Sequence, residues 1–416
     1  MSLRIPPALF HRRFRLLWLG MIISIAGTQM QTWALFWHIR DITDQPIALG
    51  GIGLARILPI IFFSLIGGAM ADVVNRRRLL LVTQTAMALT ALALAWLTIY
   101  GSIELWHIYL LTALQAVAVA FDSPSRQALV PNLVPARDLP NAFSMTSIAM
   151  QTGAIVGPAL SGLVIAYWGQ STVYTINALS YMAVIIALML MGPVAQRADP
   201  ERRTSVSLAS IREGIHFIIN QPIILGTMLM DFFATFFSSA NTLMPIVARD
   251  VLNVGAIQYG WLSAAQSVGA VLAALVVSQI ERIRRQGVVF LSSVVVFGLA
   301  TIVFGLARSF PVAMLTLMVV GAADSVSMII RNTIRQLQTP DYIRGRMSGI
   351  NQIFFMGGPQ LGEVEAGVVA QIFSVPFAII TGGIGCLAAV AWISRRWPQL
   401  RAYDGEEPKL AEAVAD

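Results

Sequence analysis

The chain has 416 residues, 56% of them hydrophobic and 12% charged, with a mean hydropathy of +0.72. Soluble domains carry about 25% charged and 45–50% apolar residues, so this composition excludes a water-soluble enzyme and a disordered protein. The formal net charge of +7 is compatible with nucleic-acid binding only if the basic residues share a surface. In chain order, the N-terminus presents Arg4, Arg12, Arg13 and Arg15 and then an apolar stretch from Phe14 to Ile39. That stretch is too long for a signal-peptide core and lacks a small-residue cleavage site, so it reads as an uncleaved first span over 14–38. Further apolar runs follow at 47–71, 79–100, 106–123, 139–167 and 172–194. A second set occupies 222–245, 256–280, 287–307, 311–333, 347–373 and 376–395. A helix crosses the hydrocarbon core with about 20 apolar residues, and helices satisfy their own backbone there. The pattern predicts an all-α integral membrane protein of twelve transmembrane helices.

The longest polar stretch between runs, 196–220, separates the sixth from the seventh. It is expected to be a cytoplasmic linker between six-helix bundles at 1–195 and 221–397, with 398–416 a disordered acidic tail (Asp404, Glu406, Glu407, Glu412). Alternating loops separate the basic residues sharply. Only Arg40, Arg249 and Arg308 fall on loops opposite the N-terminus and Arg56 within a span, which leaves 24 of the 28 Lys and Arg on the N-terminal side. The positive-inside rule then places both termini in the cytoplasm, and the basic charge becomes a topology signal rather than a nucleic-acid surface. The lone cysteine, Cys386, has no disulfide partner within the chain. No Cys/His grouping has metal-ligand spacing, no phosphate-cradling G-x-x-x-x-G-K occurs, and no cofactor is expected.

The two sets of runs also correspond. Asp72 through Arg76 match Glu281 through Arg285 at an offset of 209, Arg126 matches Arg331 at 205, and Gly157-Pro158 match Gly358-Pro359 at 201. Three ordered matches with a slowly drifting offset indicate a duplicated six-helix unit. Two such halves with a site between them at the bilayer midplane describe a secondary transporter.

Gly68, three residues, Asp72, and then Arg76, Arg77 and Arg78 resemble the cytoplasmic signature loop of the major facilitator superfamily. Val73 replaces its basic residue and Asn75 its glycine; Asn tolerates the left-handed turn that glycine would supply. The resemblance implies a major facilitator fold and a gating role for Asp72, Arg76 and Arg77, with Glu281 and Arg285 as second-half counterparts of Asp72 and Arg76 and Arg331 as that of Arg126. In the fifth span, Gly153, Gly157, Pro158 and Gly162 resemble the superfamily's antiporter motif, with Ser161 in place of one glycine. Small residues four apart permit close helix approach and the proline permits a bend, so either a hinge or simple close packing would satisfy the pattern. Ala55 to Pro59, Phe121 to Pro131 and Asp138 to Ala142 look like the branch containing enterobactin exporters and macrolide-efflux proteins. Unlike many proton-coupled members, the fourth span has Gln115 where an arginine would lie.

Ionisable side chains inside a span are costly and normally face a partner or a watery cavity. Asp231 lies about 14 Å along the seventh span from its cytoplasmic start, at 1.5 Å per residue. Glu363 is similarly deep in the eleventh, Glu365 lies about 200° around the same helix, and Asp324 is deep in the tenth. Asp231 and Glu363 are the first candidates for a proton-titrating pair, with Asp324 and Glu365 behind them; structural ion pairing is the alternative for each. Asp122 and Arg126 are spaced i, i+4 for an ion pair and read as part of the gate. In the superfamily the first, fourth, seventh and tenth spans line the cavity, which makes Gln29, Trp33, Gln115, Phe236 and Asn241 candidates for its wall; Arg56, the sole basic residue well inside a span, is a further candidate from the second span. Trp37, Trp106 and Trp168 read as an interfacial belt.

The resulting expectation is a monomeric, multi-pass inner-membrane transporter that exports a small amphipathic molecule of the drug, macrolide or siderophore class in exchange for protons. An importer or uniporter on the same fold is the alternative, and a non-transporting receptor or assembly protein a more distant one.

Overall fold

The computed structural model describes residues 6–194, 208–238, 241–280, 283–340 and 343–405. The side chains of 65, 69, 71, 72, 208–211, 344–346, 348 and 353 are outside that description. The described residues form helices and no strands. The first six long helices are α1 (Arg12–Ile42), α2 (Pro46–Val73), α3 (Arg76–Ile99), α4 (Leu105–Leu129), α5 (Leu139–Trp168) and α6 (Gln170–Met191). A shorter α7 (Leu208–Ile219) lies in the expected linker. After it come α8 (Pro222–Phe237), the brief α9 (Met244–Ile246), α10 (Ala256–Ser278), α11 (Gln286–Leu306), α12 (Phe310–Gln338), α13 (Arg344–Ile372), α14 (Val375–Arg396) and α15 (Pro398–Ala402).

Among the described residues, every apolar run but the seventh falls on a single one of these helices. Ten stretches among the described residues are long and apolar enough to cross a membrane. The other two, α1 and α13, are as long at 31 and 29 residues but dilute their apolar runs with arginines, amides and carboxylates. The seventh run is broken: α8 ends at Phe237, and a π turn over Val247–Val251 completes the passage. Large apolar side chains such as Leu89, Trp96, Leu179, Ile186 and Leu299 stand exposed on the outer helix faces. Exposure on that scale fits a bilayer as the solvent.

Helix ends follow local chemistry. Asn75 caps α3 by accepting the Arg78 N–H at 3.1 Å. Its φ of −59° corrects the expected left-handed turn: the residue acts through its side-chain oxygen, the role Asn fills at an N-cap. The expected disorder from residue 398 is also corrected. α15 follows α14 directly, and Leu400 and Tyr403 are buried with Phe290, Ile393 and Cys386. Two apolar anchors four positions or fewer apart outweigh the polar composition that pointed to a free tail; residues 406–416 lie outside the description.

The chain divides into two compact units, Met1–Asp199 with Thr242–Ala264 and Pro200–Asn241 with Ala265–Asp416. In the first, α1 packs on α5 and α6, α3 on α4 and α6, and α2 on α4. In the second, α8 packs on α13 and α14 and α11 on α12 and α14, while Gly269 of α10 meets Met318 of α12. The same neighbours recur in the same order, which is the packing expected of a duplicated six-helix sequence.

Candidate functional site

Each unit buries a polar centre, and the two differ in charge. In the first, Gln31 of α1 donates to Gln115 Oε1 at 2.6 Å, and Gln115 donates to the Tyr181 hydroxyl at 2.8 Å. Asn177 donates to Gln31 Oε1 at 2.6 Å, and Thr28 meets Tyr181 at 3.0 Å. Gln31, Asn177 and Tyr181 are all but fully buried. The network contains amides and hydroxyls only, and Gln115 sits at its junction.

In the second unit the polar centre is ionic. Asp231 of α8 lies 2.9 Å from the Arg331 guanidinium and 3.5 Å from that of Arg335, both on α12. The three side chains are 1%, 4% and 3% exposed. Arg335 also donates to the Thr227 hydroxyl at 3.1 Å and the Thr227 carbonyl at 2.9 Å. Arg331 donates to Ser327 at 3.0 Å and meets the half-exposed Asp324 at 3.4 Å. Glu363 is buried on α13 and Glu365 is half-buried two residues further along the same helix. Arg331, expected at the gate, is thus drawn into the intramembrane charge cluster. Arg335 and Thr227 were missed, although each stands four residues from a member already singled out, the same spacing that identified Asp122 and Arg126.

Those last two residues form an ion pair within α4, and Asp122 further accepts from Thr83 at 2.9 Å and Gln84 at 2.8 Å on α3. Arg76 donates to the Ala128 carbonyl at 3.1 Å and Arg77 to the Leu188 carbonyl at 2.6 Å. Both contacts place positive charge at a helix C-terminus, where the macrodipole favours it. The Asp72 side chain and Glu281 lie outside the described residues. Arg285 adopts φ +53° and its backbone N–H donates to Asp404.

The fifth-span motif lies in tight helix contacts. A Cβ on Gly157 would press on Gln29 and the Ala26 carbonyl of α1, and one on Gly162 would sit 2.8 Å from Gly260 Cα. Gly153 packs against Ile25, and Pro158 is internal to α5. Among the cavity candidates, Trp33 stacks edge-on to Phe36 and Tyr259, Arg56 lies 5.5 Å from the Phe36 ring centre, and Phe236 stacks on Phe232. Asn241 opens the 3-10 turn after α8. Trp106 and Trp168 are exposed as an interfacial belt requires, but Trp37 is buried against Tyr259. The helical neighbours of Trp37 continue the packed face of α1, which removes it from the belt.

Residues 6–413 match the profile of the transmembrane secretion effector family. The chain belongs to this family. It is a major facilitator transporter of small molecules in a membrane, as the signature loop and the fifth-span motif implied. The enterobactin exporter EntS of Escherichia coli (strain SMS-3-5 / SECEC) is 24% identical over 401 residues, covering 96% of this chain and 95% of that protein. Among solved structures, a bacterial homologue of the human lysosomal transporter Spinster superposes with a TM-score of 0.73 at 14% identity, over 96% of this chain and 97% of its own. A bacterial homologue of the iron transporter ferroportin gives 0.66 at 14% identity, over 94% and 99%. At that identity these two likenesses speak for the fold alone.

Proposed function

We propose that this transporter exports a small amphipathic molecule of the drug, macrolide or siderophore class in exchange for protons, with both termini in the cytoplasm. The observation that carries the reading is Asp231, a buried carboxylate held between two arginines in the second unit. A carboxylate in that position is a proton acceptor whose occupancy changes the charge of its surroundings. With Asp231 ionised, the cluster of Asp231, Asp324, Arg331 and Arg335 sums to zero; with Asp231 protonated it carries one uncompensated positive charge. A buried uncompensated charge is costly, so protonation and rearrangement of α8 against α12 are coupled. Alternating access through rocking of six-helix repeats converts that coupling into exchange of proton for substrate. The family's secretion description and the likeness to an enterobactin exporter support the direction and the siderophore class.

The test is reconstitution in liposomes with an internal pH dye and a panel of amphipathic drugs, macrolides and siderophores. Proton antiport predicts substrate-triggered proton movement that Asp231→Asn abolishes. Substrate flux with no proton movement would replace antiport by uniport or another coupling ion. Proton movement that survives Asp231→Asn would remove Asp231 from the pathway.

A further inference from the structure

The dipeptide Arg40-Asp41 ends α1, and Arg-Asp recurs as Arg249-Asp250 in the π turn before α10. The offset is 209, the same as that between Asp72 and Glu281. The two copies therefore occupy equivalent places in the duplicated sequence, on the side of the membrane opposite the termini. They also meet each other. Arg40 donates to both oxygens of Asp250, at 2.9 and 3.1 Å, and Arg249 reaches Asp41 at 2.6 Å. Each arginine takes the aspartate of the other copy, as residues related by a two-fold axis do in an isologous contact.

Neighbouring groups orient the pairing. Asp44 also pairs with Arg40, and Gln170 donates to Asp41 at 2.5 Å. Arg249 lies 5.9 Å above the Trp37 ring. Beneath the charges, Tyr259 donates its hydroxyl proton to the Trp33 carbonyl at 2.8 Å and Gly260 packs against Gly162. The segment Thr242–Ala264 is thereby held on α1 and α5, in the first unit, although in sequence it joins α8 to the rest of α10. The ionic layer is partly wet, with side chains 14% to 49% exposed, while Tyr259 and Trp37 under it are buried.

We propose that Arg40, Asp41, Arg249 and Asp250 form a reciprocal ionic clasp over the outer mouth of the transport path, closed here and broken once in each cycle. These four are gating residues for the transport reaction, additional to those of the signature loop. A partly exposed ion pair is strong enough to bias an equilibrium by a few-fold and weak enough to open thermally. Two such pairs in series suit a door that must open on every turnover. The proposal rests on the transporter assignment; its placement on the outer side rests on the orientation proposed above.

The experiment needs neither substrate nor a known orientation. Ser263 lies one turn beyond Tyr259 and is buried, so Ser263→Cys in a Cys386→Ser background reports opening through its labelling rate with a water-soluble maleimide, in nanodiscs. Asp41→Arg and Arg249→Asp each turn one attraction into repulsion and are expected to speed labelling about tenfold, a few-fold from the lost pair multiplied by a few-fold from the repulsion that replaces it. The double swap Asp41→Arg/Arg249→Asp rebuilds the pair with its polarity reversed and is expected to return the rate to within about threefold of the parent. Salt at about 1 M, where the screening length falls to about 3 Å, is expected to speed the parent and to narrow the gap to the single variants, whose repulsion it screens. Single reversals that label at the parental rate overturn the clasp, and so does a swap that stays as fast as the singles. If a reversal fails to fold, the salt titration of the parent decides alone, and a salt-independent rate overturns the proposal. None of these outcomes depends on whether Asp231 carries protons.

Discussion

Replacing Asp231 by Asn keeps the shape of the side chain and removes its charge from a dry cluster. Point charges at the observed 2.9 and 3.5 Å, in an effective dielectric of about 20, attract by roughly 6 and 5 kcal/mol before desolvation is counted. Much of that gross attraction is offset by the cost of taking three ions out of water, and the loss on removing one partner of a buried pair is about 3–5 kcal/mol. Asp324→Asn is the matched control. That carboxylate also meets Arg331, at 3.4 Å, but its side chain is 37% exposed, and an exposed pair contributes about 0–1 kcal/mol. Cys386 supplies the assay: it is the only cysteine and is fully buried on α14 in the second unit, so a thiol-reactive dye records unfolding of that unit on heating. Asp231→Asn is expected to lower the midpoint well below that of Asp324→Asn. Adding Arg335→Gln to it is expected to cost less than Arg335→Gln costs alone, because the second change then removes an unpaired charge. An Asp231→Asn protein that unfolds with the parent, or strictly additive losses, would refute the assignment of a coupled buried cluster.

Two further outcomes follow from the first unit. Gly162→Leu forces a side chain into the contact with Gly260; overpacking of this kind costs about 1–3 kcal/mol, read as a lower midpoint by tryptophan fluorescence, whereas Gly349→Ala, inside α13 with nothing within 4 Å, is expected to unfold no lower than the parent. Tyr181→Phe removes the hydroxyl that serves Gln115 and Thr28, while Thr28 keeps the Ser24 carbonyl and Gln115 keeps Gln31, so the loss is that of ordinary hydrogen bonds, about 0.5–1.5 kcal/mol; it is expected to lower stability without displacing the pH profile of transport, since no member of that network ionises near neutrality.

The helices were legible because membrane spans are long and their apolar runs are interrupted by charge. The internal duplication was legible too, from residues such as Arg126 and Arg331 whose separation persists across both halves. What the sequence withheld was which arginine meets which carboxylate. Arg331 was matched to Arg126 by offset, yet Arg126 pairs with Asp122 of its own helix, whereas the position four before Arg331 is Ser327 and its buried carboxylate partner comes from α8, with the half-exposed Asp324 seven residues back on its own helix. Register within a helix is a sequence property, but rotation of one helix against another is settled by packing along its whole length. The same limit explains Trp37: a tryptophan near a span end fits an interfacial belt, and only the position of Tyr259 shows that this one is inside. Residues 398–405 misled for a different reason. Their polar and acidic composition outvoted Leu400 and Tyr403, the two side chains that dock the segment.

The contrast between the two polar centres is informative because the units descend from one pattern. Helix neighbours are conserved between them in order, from α1, α5 and α6 to α8, α13 and α14, so the surroundings of the two centres are comparable. A Gln31–Gln115–Tyr181 network satisfies its donors and acceptors internally and has the same charge at every pH at which the protein works. The Asp231–Arg331–Arg335 cluster changes charge by one when a single proton binds. Under the antiport proposed here, one half of the molecule then carries the titratable element and the other stays electrically silent. That division yields a stoichiometric consequence: exchange through Asp231 alone moves one proton per cycle. A coupling ratio near one, measured from proton and substrate fluxes in the same vesicles, is the outcome this asymmetry requires, and a ratio of two would demand a second carboxylate, for which Glu363 on α13 is the buried candidate.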